Sequence, residues 1–377
     1  MIVYLTAITL SFLFAAVYVR YRQQLQLSAG FQRNSRLKFY NKKITPSHLK
    51  LLALFVLSVF PVWFITAFRY DVGTDYFYTY VPRFELSLNG QDPFNEFIFN
   101  LLYRILVVLG LDVVWVFIIT GAVIVGGIYR FCFKYSKIPL LSIALFFAAG
   151  IYFSSLNNVR QYVAMVIGLF GMYQTKNLKA FALFIISGLT HVSGFAYIPL
   201  FLFLKISKLN FSRTKYFVCA AIGFVASYVI FIVLKQFLLT TRYAYFFDSF
   251  IDNKFSMSDL IVNFVLFVLS VFYFDNRDEE YKKLAIISAI SVTVCFVGIF
   301  LRSMELTGRI LRIFTIFQLT QVPVLILKDR NVIMRNIYCI LFVLLFGVLT
   351  FNAIVLNGTH EVLPYRFVFG INPLTKI

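Results

Sequence analysis

Apolar runs of 11 to 21 residues recur along the whole chain, separated by short polar gaps: 1–19, 51–68, 113–129, 139–155, 158–175, 180–190, 192–204, 216–234, 259–274, 284–301, 310–327 and 336–356. A helix crossing a hydrocarbon core of about 30 Å needs about 20 apolar residues. Lipid offers the backbone no hydrogen bonds, so each run is predicted to be helical. The pattern predicts an all-α, polytopic integral membrane protein of about twelve spans, with residues 1–377 forming a single integral membrane domain. Two stretches fit this scheme badly. Residues 94–110 are apolar but carry Glu96 and Arg104, and one more crossing there would reverse the side of every later loop, so this helix is expected to lie on the membrane surface or dip into it. Residues 178–204 have lysines at both ends and room only for a shortened or re-entrant hairpin, with His191 near its tip. Irregular backbone at that depth is tolerated only beside protein or a water-filled cavity. The segment 20–50 reads as a surface helix or disordered link, and 357–377, with Pro364 and Pro373, as irregular structure.

The charges give the runs a direction. The gaps 20–50, 130–137, 176–179, 205–215, 277–283 and 328–335 hold 23 of the 35 Lys and Arg residues. Short cytoplasmic loops collect Lys and Arg, so these gaps are read as cytoplasmic and the alternate gaps, nearly neutral, as outside. Sixty per cent hydrophobic residues, 14% charged residues and a mean hydropathy of +0.84 leave no room for a soluble domain. The net charge of +19 then reflects anchoring beside anionic membrane lipids. It is dispersed over many loops and forms no stripe for nucleic acid. Cys132, Cys219, Cys295 and Cys339 stand alone, without a CxxC or Cys/His ligand pattern, and no metal site is expected. Residues 1–19 lack a basic leader and precede eight positive charges, so they are expected to be retained as a span. No Walker loop, Rossmann glycine pattern, HExxH or GxSxG occurs, and no cofactor is expected.

Candidate chemistry therefore belongs to the neutral face. Arg69-Tyr70-Asp71-Val72-Gly73-Thr74-Asp75-Tyr76 begins where the second run ends; Gly73 permits a tight turn, and Asp75, Tyr76 and Tyr80 follow. An aromatic belt with a loop ion pair is the bland alternative. Asn157-Asn158-Val159-Arg160-Gln161 opens the fifth run, where Arg160 is either a snorkelling anchor or an anion ligand helped by the helix N-terminus. His191, between Thr190 and Ser193, is either a structural hydrogen-bonding residue or a functional base. Arg302, Glu305, Arg309 and Arg312 are spaced 3, 4 and 3, one face of a helix unless Thr307-Gly308 breaks it. An Arg at mid-bilayer costs about 2.5–3.5 kcal/mol on insertion scales, so several together imply a hydrated or anionic environment. Arg242, next to Tyr243, could join them. Guanidinium groups with one carboxylate suit bidentate phosphate recognition better than packing.

Taken in order, Arg69, Gly73-Thr74-Asp75-Tyr76, Tyr80, Glu96-Phe97, Arg160-Gln161-x-x-Ala164, His191-x-Ser193 with Ile198-Pro199, Arg242-Tyr243 and Arg309 resemble the EpsG family of Wzy-type O-antigen and exopolysaccharide polymerases. The resemblance spans roughly residues 1–330 and departs from the family pattern at Gly194, where Ala is frequent. It implies a GT-C-like glycosyltransferase of the bacterial inner membrane that works at the outer face on undecaprenyl-pyrophosphate-linked oligosaccharide, with a chain-length regulator as a further partner. On that reading Arg160, Arg242, Arg302, Arg309 and Arg312 hold the donor pyrophosphate, and Asp75 or His191, with Glu96 as a third candidate, takes the acceptor proton. Arg69, Tyr76, Tyr80, Tyr243, Asn158, Gln161 and Glu305 complete the substrate groove. A flippase or transporter of lipid-linked oligosaccharide, and an O-antigen ligase, are the rival readings.

Overall fold

The computed structural model describes residues 1–31, 46–206, 212–241, 257–275, 277–301 and 304–376. These are helical nearly throughout, with one short antiparallel pairing of β1 (Arg69–Tyr70) and β2 (Arg366–Phe367). Among the described residues, five helices are long and apolar enough to cross a membrane: Ile2–Leu27, Pro46–Ala67, Val114–Tyr135, Glu279–Ile299 and Val332–Leu356. Two bent pairs, Pro139–Ala148 with Ile151–Asn157 (53°) and Gly308–Thr315 with Gln318–Ile326 (46°), raise the number to seven. Twelve spans were expected from the apolar runs. Part of the difference lies in helix length: Val159–Met172 and Asn177–Thr190 have 14 residues each, and at about 1.5 Å per residue they rise about 21 Å, short of the hydrocarbon core.

The helices connect two chemically different ends. At the first, described residues of the basic gaps bond to one another and to neighbouring helix ends. Arg22 donates to the Phe133 carbonyl, Lys205 to the Asn177 side chain, and Lys137 pairs with Glu280 at 3.1 Å. Lys283 Nζ reaches the Met172 carbonyl at 2.8 Å, and Lys328 lies 2.8 Å from Asp275 and 3.0 Å from Asp278.

The second end is built around the Gly73 corner. Gly73 has φ +92°, and a Cβ there would stand 2.9 Å from the Leu156 carbonyl oxygen, so turn and close approach both demand glycine. The backbone N–H groups of Gly73 and Thr74 donate to the carbonyls of Glu361 (3.1 Å) and His360 (3.0 Å). The tail expected to be irregular is thereby folded back over the corner. Tyr4 Oη bonds the Val362 carbonyl at 3.0 Å, Tyr365 Oη the Ile65 carbonyl at 2.7 Å, and Tyr70 Oη the Thr375 carbonyl. The 12-residue helix Phe97–Val108 buries Phe99, Tyr103 and Leu106 and exposes Phe97, Leu101, Ile105 and Val108, a one-sided burial suited to an interface. Asn177–Thr190 and Tyr197–Ile206 form a hairpin, joined by extended His191 and a tight turn over Val192–Ala196.

Candidate active site

Three elements converge beside the corner: the start of the Val159–Met172 helix, the Met304–Thr315 helix and the C-terminal tail. The Met304–Thr315 helix runs unbroken through Gly308, which places Glu305, Arg309 and Arg312 in one register at i, i+4 and i+7. Arg312 extends one Nη1 to two acceptors, Asn158 Oδ1 at 3.2 Å and Gln161 Oε1 at 3.4 Å. Gln161, buried, uses its other amide atom to hold the Arg309 carbonyl at 2.6 Å. An amide oxygen can only accept and a guanidinium N–H can only donate, so the orientation of Gln161 is fixed by its two partners. Arg312 also lines a cavity of about 390 Å³ with Asp259, Asn263, Gln318, Asn352, Asn357 and His360 on its walls.

His360 was not among the expected site residues. It sits at φ +69° in a tight turn after Gly358. The Asp75 backbone N–H donates to Asn157 Oδ1 at 2.7 Å, so Asn157 Nδ2, 3.3 Å from His360 Nδ1, is the donor of that contact. His360 Nδ1 therefore accepts, and its proton resides on Nε2. Burial, and then the positive charge of Arg312, push its pKa down to about 4. A neutral imidazole with one remaining N–H is left beside the cavity.

His191 follows the same logic on the hairpin. Ser193 donates its backbone N–H to His191 Nδ1 at 3.3 Å, with the Ser193 hydroxyl 2.7 Å away. Burial, followed by the charges of Arg160 and Arg309, pushes its pKa down to about 3. With Nδ1 accepting from Ser193, His191 presents Nε2–H, and its lowered pKa leaves it a weak base.

Arg160 and Glu96 form a pair at 2.8 Å, both more than three-quarters buried, with the Arg160 guanidinium 4.4 Å above the Phe94 ring. Asp75 is half-buried, and Thr79 Oγ1 donates to its carboxylate at 3.3 Å. Tyr76 stacks on Phe117 at 5.0 Å, and Tyr80 Oη bonds the Asn157 carbonyl at 3.3 Å; each is 1% exposed. They support the corner from within rather than line an open groove. Arg69, also 1% exposed, lies 4.5 Å above the Phe117 ring, and its Nε and Nη1 have no hydrogen-bond partner among the described residues. It too is sealed from any ligand in this conformation. Arg242, Tyr243 and Arg302, and the side chain of Glu305, lie outside the described residues. Among the described residues no group of three His, Cys, Asp or Glu could hold a metal ion.

A family model, that of the EpsG family, matches residues 52–367. The chain belongs to the EpsG family. The match takes in both the corner that begins at Arg69 and the tail to Phe367, so the EpsG unit includes His360, beyond the roughly 330 residues over which motifs were legible. Membership makes this EpsG chain one of the Wzy-type polymerase-like proteins of polysaccharide biosynthesis. No curated protein and no solved structure matches it.

Asp259, Asn263, Asn352, Asn357 and His360 were missed by sequence reasoning. Asp259 and Asn263 share one helix and Asn352, Asn357 and His360 lie at the end of the last helix and just beyond it, and only the tertiary fold gathers the two groups. A signal was nonetheless present in two of them: Asn352 and Asn357 are amides five residues apart at the end of an otherwise apolar run.

Proposed function

We propose that this EpsG-family chain is a polysaccharide polymerase that moves a growing glycan from undecaprenyl pyrophosphate onto a sugar hydroxyl of an incoming lipid-linked repeat unit, at the outer face of the bacterial inner membrane. The observation that carries the reading is the placement of Arg312, steadied by Asn158 and Gln161, on the wall of a polar cavity that it shares with His360. In the reaction the acceptor hydroxyl oxygen attacks the anomeric carbon and the bond from that carbon to the pyrophosphate oxygen breaks. The electron pair leaves with undecaprenyl pyrophosphate, and the acceptor proton passes to a carboxylate. Arg312 meets the charge that develops on the leaving group, and the Nε2–H of neutral His360 adds an uncharged hydrogen-bond donor. Arg309 and His191 lie close enough to interact electrostatically on the neighbouring helix and hairpin, outside the walls of this cavity.

Two carboxylates are candidates for the proton. Asp75 is linked to Asn157, beside His360, through its backbone N–H. Asp259 lies on the cavity wall itself, which favours it, since the acceptor oxygen must meet the anomeric carbon beside Arg312. Glu96 is held by Arg160 and is the weakest candidate for the base. The donor is already activated, so orientation, charge stabilisation and one proton transfer suffice.

The test is elongation by purified protein in detergent, supplied only with lipid-linked repeat units extracted from its own host. Longer lipid-linked glycan should form without nucleotide sugar or nucleotide triphosphate, and Asp259→Asn should lower the rate by at least about a hundredfold, the usual scale of general-base loss. No elongation by intact protein with authentic substrate would instead favour a carrier, which changes the location of its cargo and makes no bond.

A further inference from the structure

The polar cavity shares a wall with an apolar groove. The groove, about 680 Å³, opens between the N-terminal helix Ile2–Phe31 and the Val332–Phe351 helix, and is floored by Pro139–Ala148. Apart from the hydroxyls of Thr9 and Thr350, its lining side chains are apolar. Thr350 and Ile354 line both spaces. Two backbone irregularities coincide at this shared wall. The bent helix breaks at Gly150, φ +69°, where Thr350 Oγ1 donates to the Ala148 carbonyl at 2.6 Å. Opposite, the long C-terminal helix widens into a π turn over Asn352–Leu356. Such a turn re-aims side chains relative to the preceding helix. Asn352 and Asn357 consequently face the polar cavity, while Val348 and Phe351 stay on the groove.

We infer that the groove seats the isoprenoid tail of the lipid-linked donor, and that Thr350 and Ile354 form the sill over which its pyrophosphate enters the cavity toward Arg312. The inference rests on the proposed function. Its occupant follows from adjacency and chemistry: an apolar groove that abuts, across Thr350 and Ile354, a polar chamber holding Arg312 fits a single long hydrocarbon carrying a polyanionic head. A lipid of the surrounding bilayer needs the apolar surface but not the polar chamber beside it.

Gly347 provides the test, because it borders the groove and a Cβ there meets nothing within 4 Å. Gly347→Trp should therefore fold and fill the groove. Val225→Trp, at a position 71% exposed outside the groove, is the control for adding a bulky side chain to the apolar surface. Thermal stabilisation of the purified full chain is measured against undecaprenyl pyrophosphate, farnesyl pyrophosphate, inorganic pyrophosphate and phosphatidylglycerol. The native protein and Val225→Trp should respond to undecaprenyl pyrophosphate at a concentration at least tenfold below that for farnesyl pyrophosphate. Gly347→Trp should lose that preference while keeping its response to inorganic pyrophosphate. An unchanged preference in Gly347→Trp overturns the groove assignment and leaves the polar site standing. Equal stabilisation of the native protein by phosphatidylglycerol overturns it as well, reducing the groove to ordinary lipid contact. Failure of the native protein to respond to any pyrophosphate overturns the proposed function together with the groove.

Discussion

Hydrogen-bond direction settles more at this site than residue identity does. Arginine, histidine and asparagine were legible as candidates, but which of them donates depends on partners from distant segments. Arg312→Lys keeps the charge and loses the guanidinium Nη1 that reaches both Asn158 and Gln161. One charged hydrogen bond is worth about 1.5–3 kcal/mol, so chain extension should fall by roughly 10- to 150-fold while the protein still accumulates in membranes. Glycan length on gels, normalised to protein amount, checks this. Arg160 divides differently: its bond to Glu96 predicts a coupling of about 1.5–3 kcal/mol in a double-mutant cycle on thermal stability. If Arg160 instead serves the substrate alone, Glu96→Gln will leave extension intact and the coupling will vanish. His360 adds a pH dependence. Its folded pKa, about 4, lies below the ordinary 6.5, so the unfolded chain binds more protons between those values and stability declines as pH falls from about 6.5 toward 4. His360→Gln should flatten that decline in a melting series across pH, without changing stability at pH 8 by the same route.

At the scale of elements, the breaks matter more than the helices. The expectation of about twelve spans came from hydropathy, which measures how apolar a run is and is blind to where its axis bends. Gly150 and the Thr315–Gln318 break divide two runs, and both open onto the polar cavity. The Gly73 corner is the tightest of these devices. Gly73→Ala must adopt φ +92° with its Cβ 2.9 Å from the Leu156 carbonyl oxygen, a strained conformation costing on the order of 1–3 kcal/mol before any clash is relieved. Gly73→Ala should therefore show a lowered melting temperature and reduced accumulation. A melting temperature equal to that of the native protein would mean the corner can move, and with it the attachment of the tail.

The whole molecule has a basic end and a polar, nearly neutral end, and the sequence-level reading of sides depends on that division. Cysteines introduced at Tyr78 and Arg330, both exposed and at opposite ends, should label differently with an impermeant maleimide on intact cells: position 78 from outside, position 330 only after permeabilisation. Labelling of position 330 from outside would invert the orientation and move the proposed site to the cytoplasm. The tail joins the polar end by backbone bonds to Gly73 and Thr74 and by the β1–β2 pairing.

The sequence by itself determined the class, the helical content, the grouping of the basic loops and the GTDY, RQ and HxS motifs, because those depend on composition, period and local turn chemistry. Burial in lipid forces helices wherever apolar runs occur, and the charge of a loop is a property of that loop alone. The tertiary structure decided what those motifs touch. It sealed Arg69, Tyr76 and Tyr80 inside the corner, paired Arg160 with Glu96, set His191 Nδ1 against Ser193, and brought Asp259 and His360 to one cavity. Those outcomes rest on contacts between segments as far apart as residues 75, 157 and 360, and the direction of a hydrogen bond is a property of the pair, which neither partner carries in its own stretch of sequence.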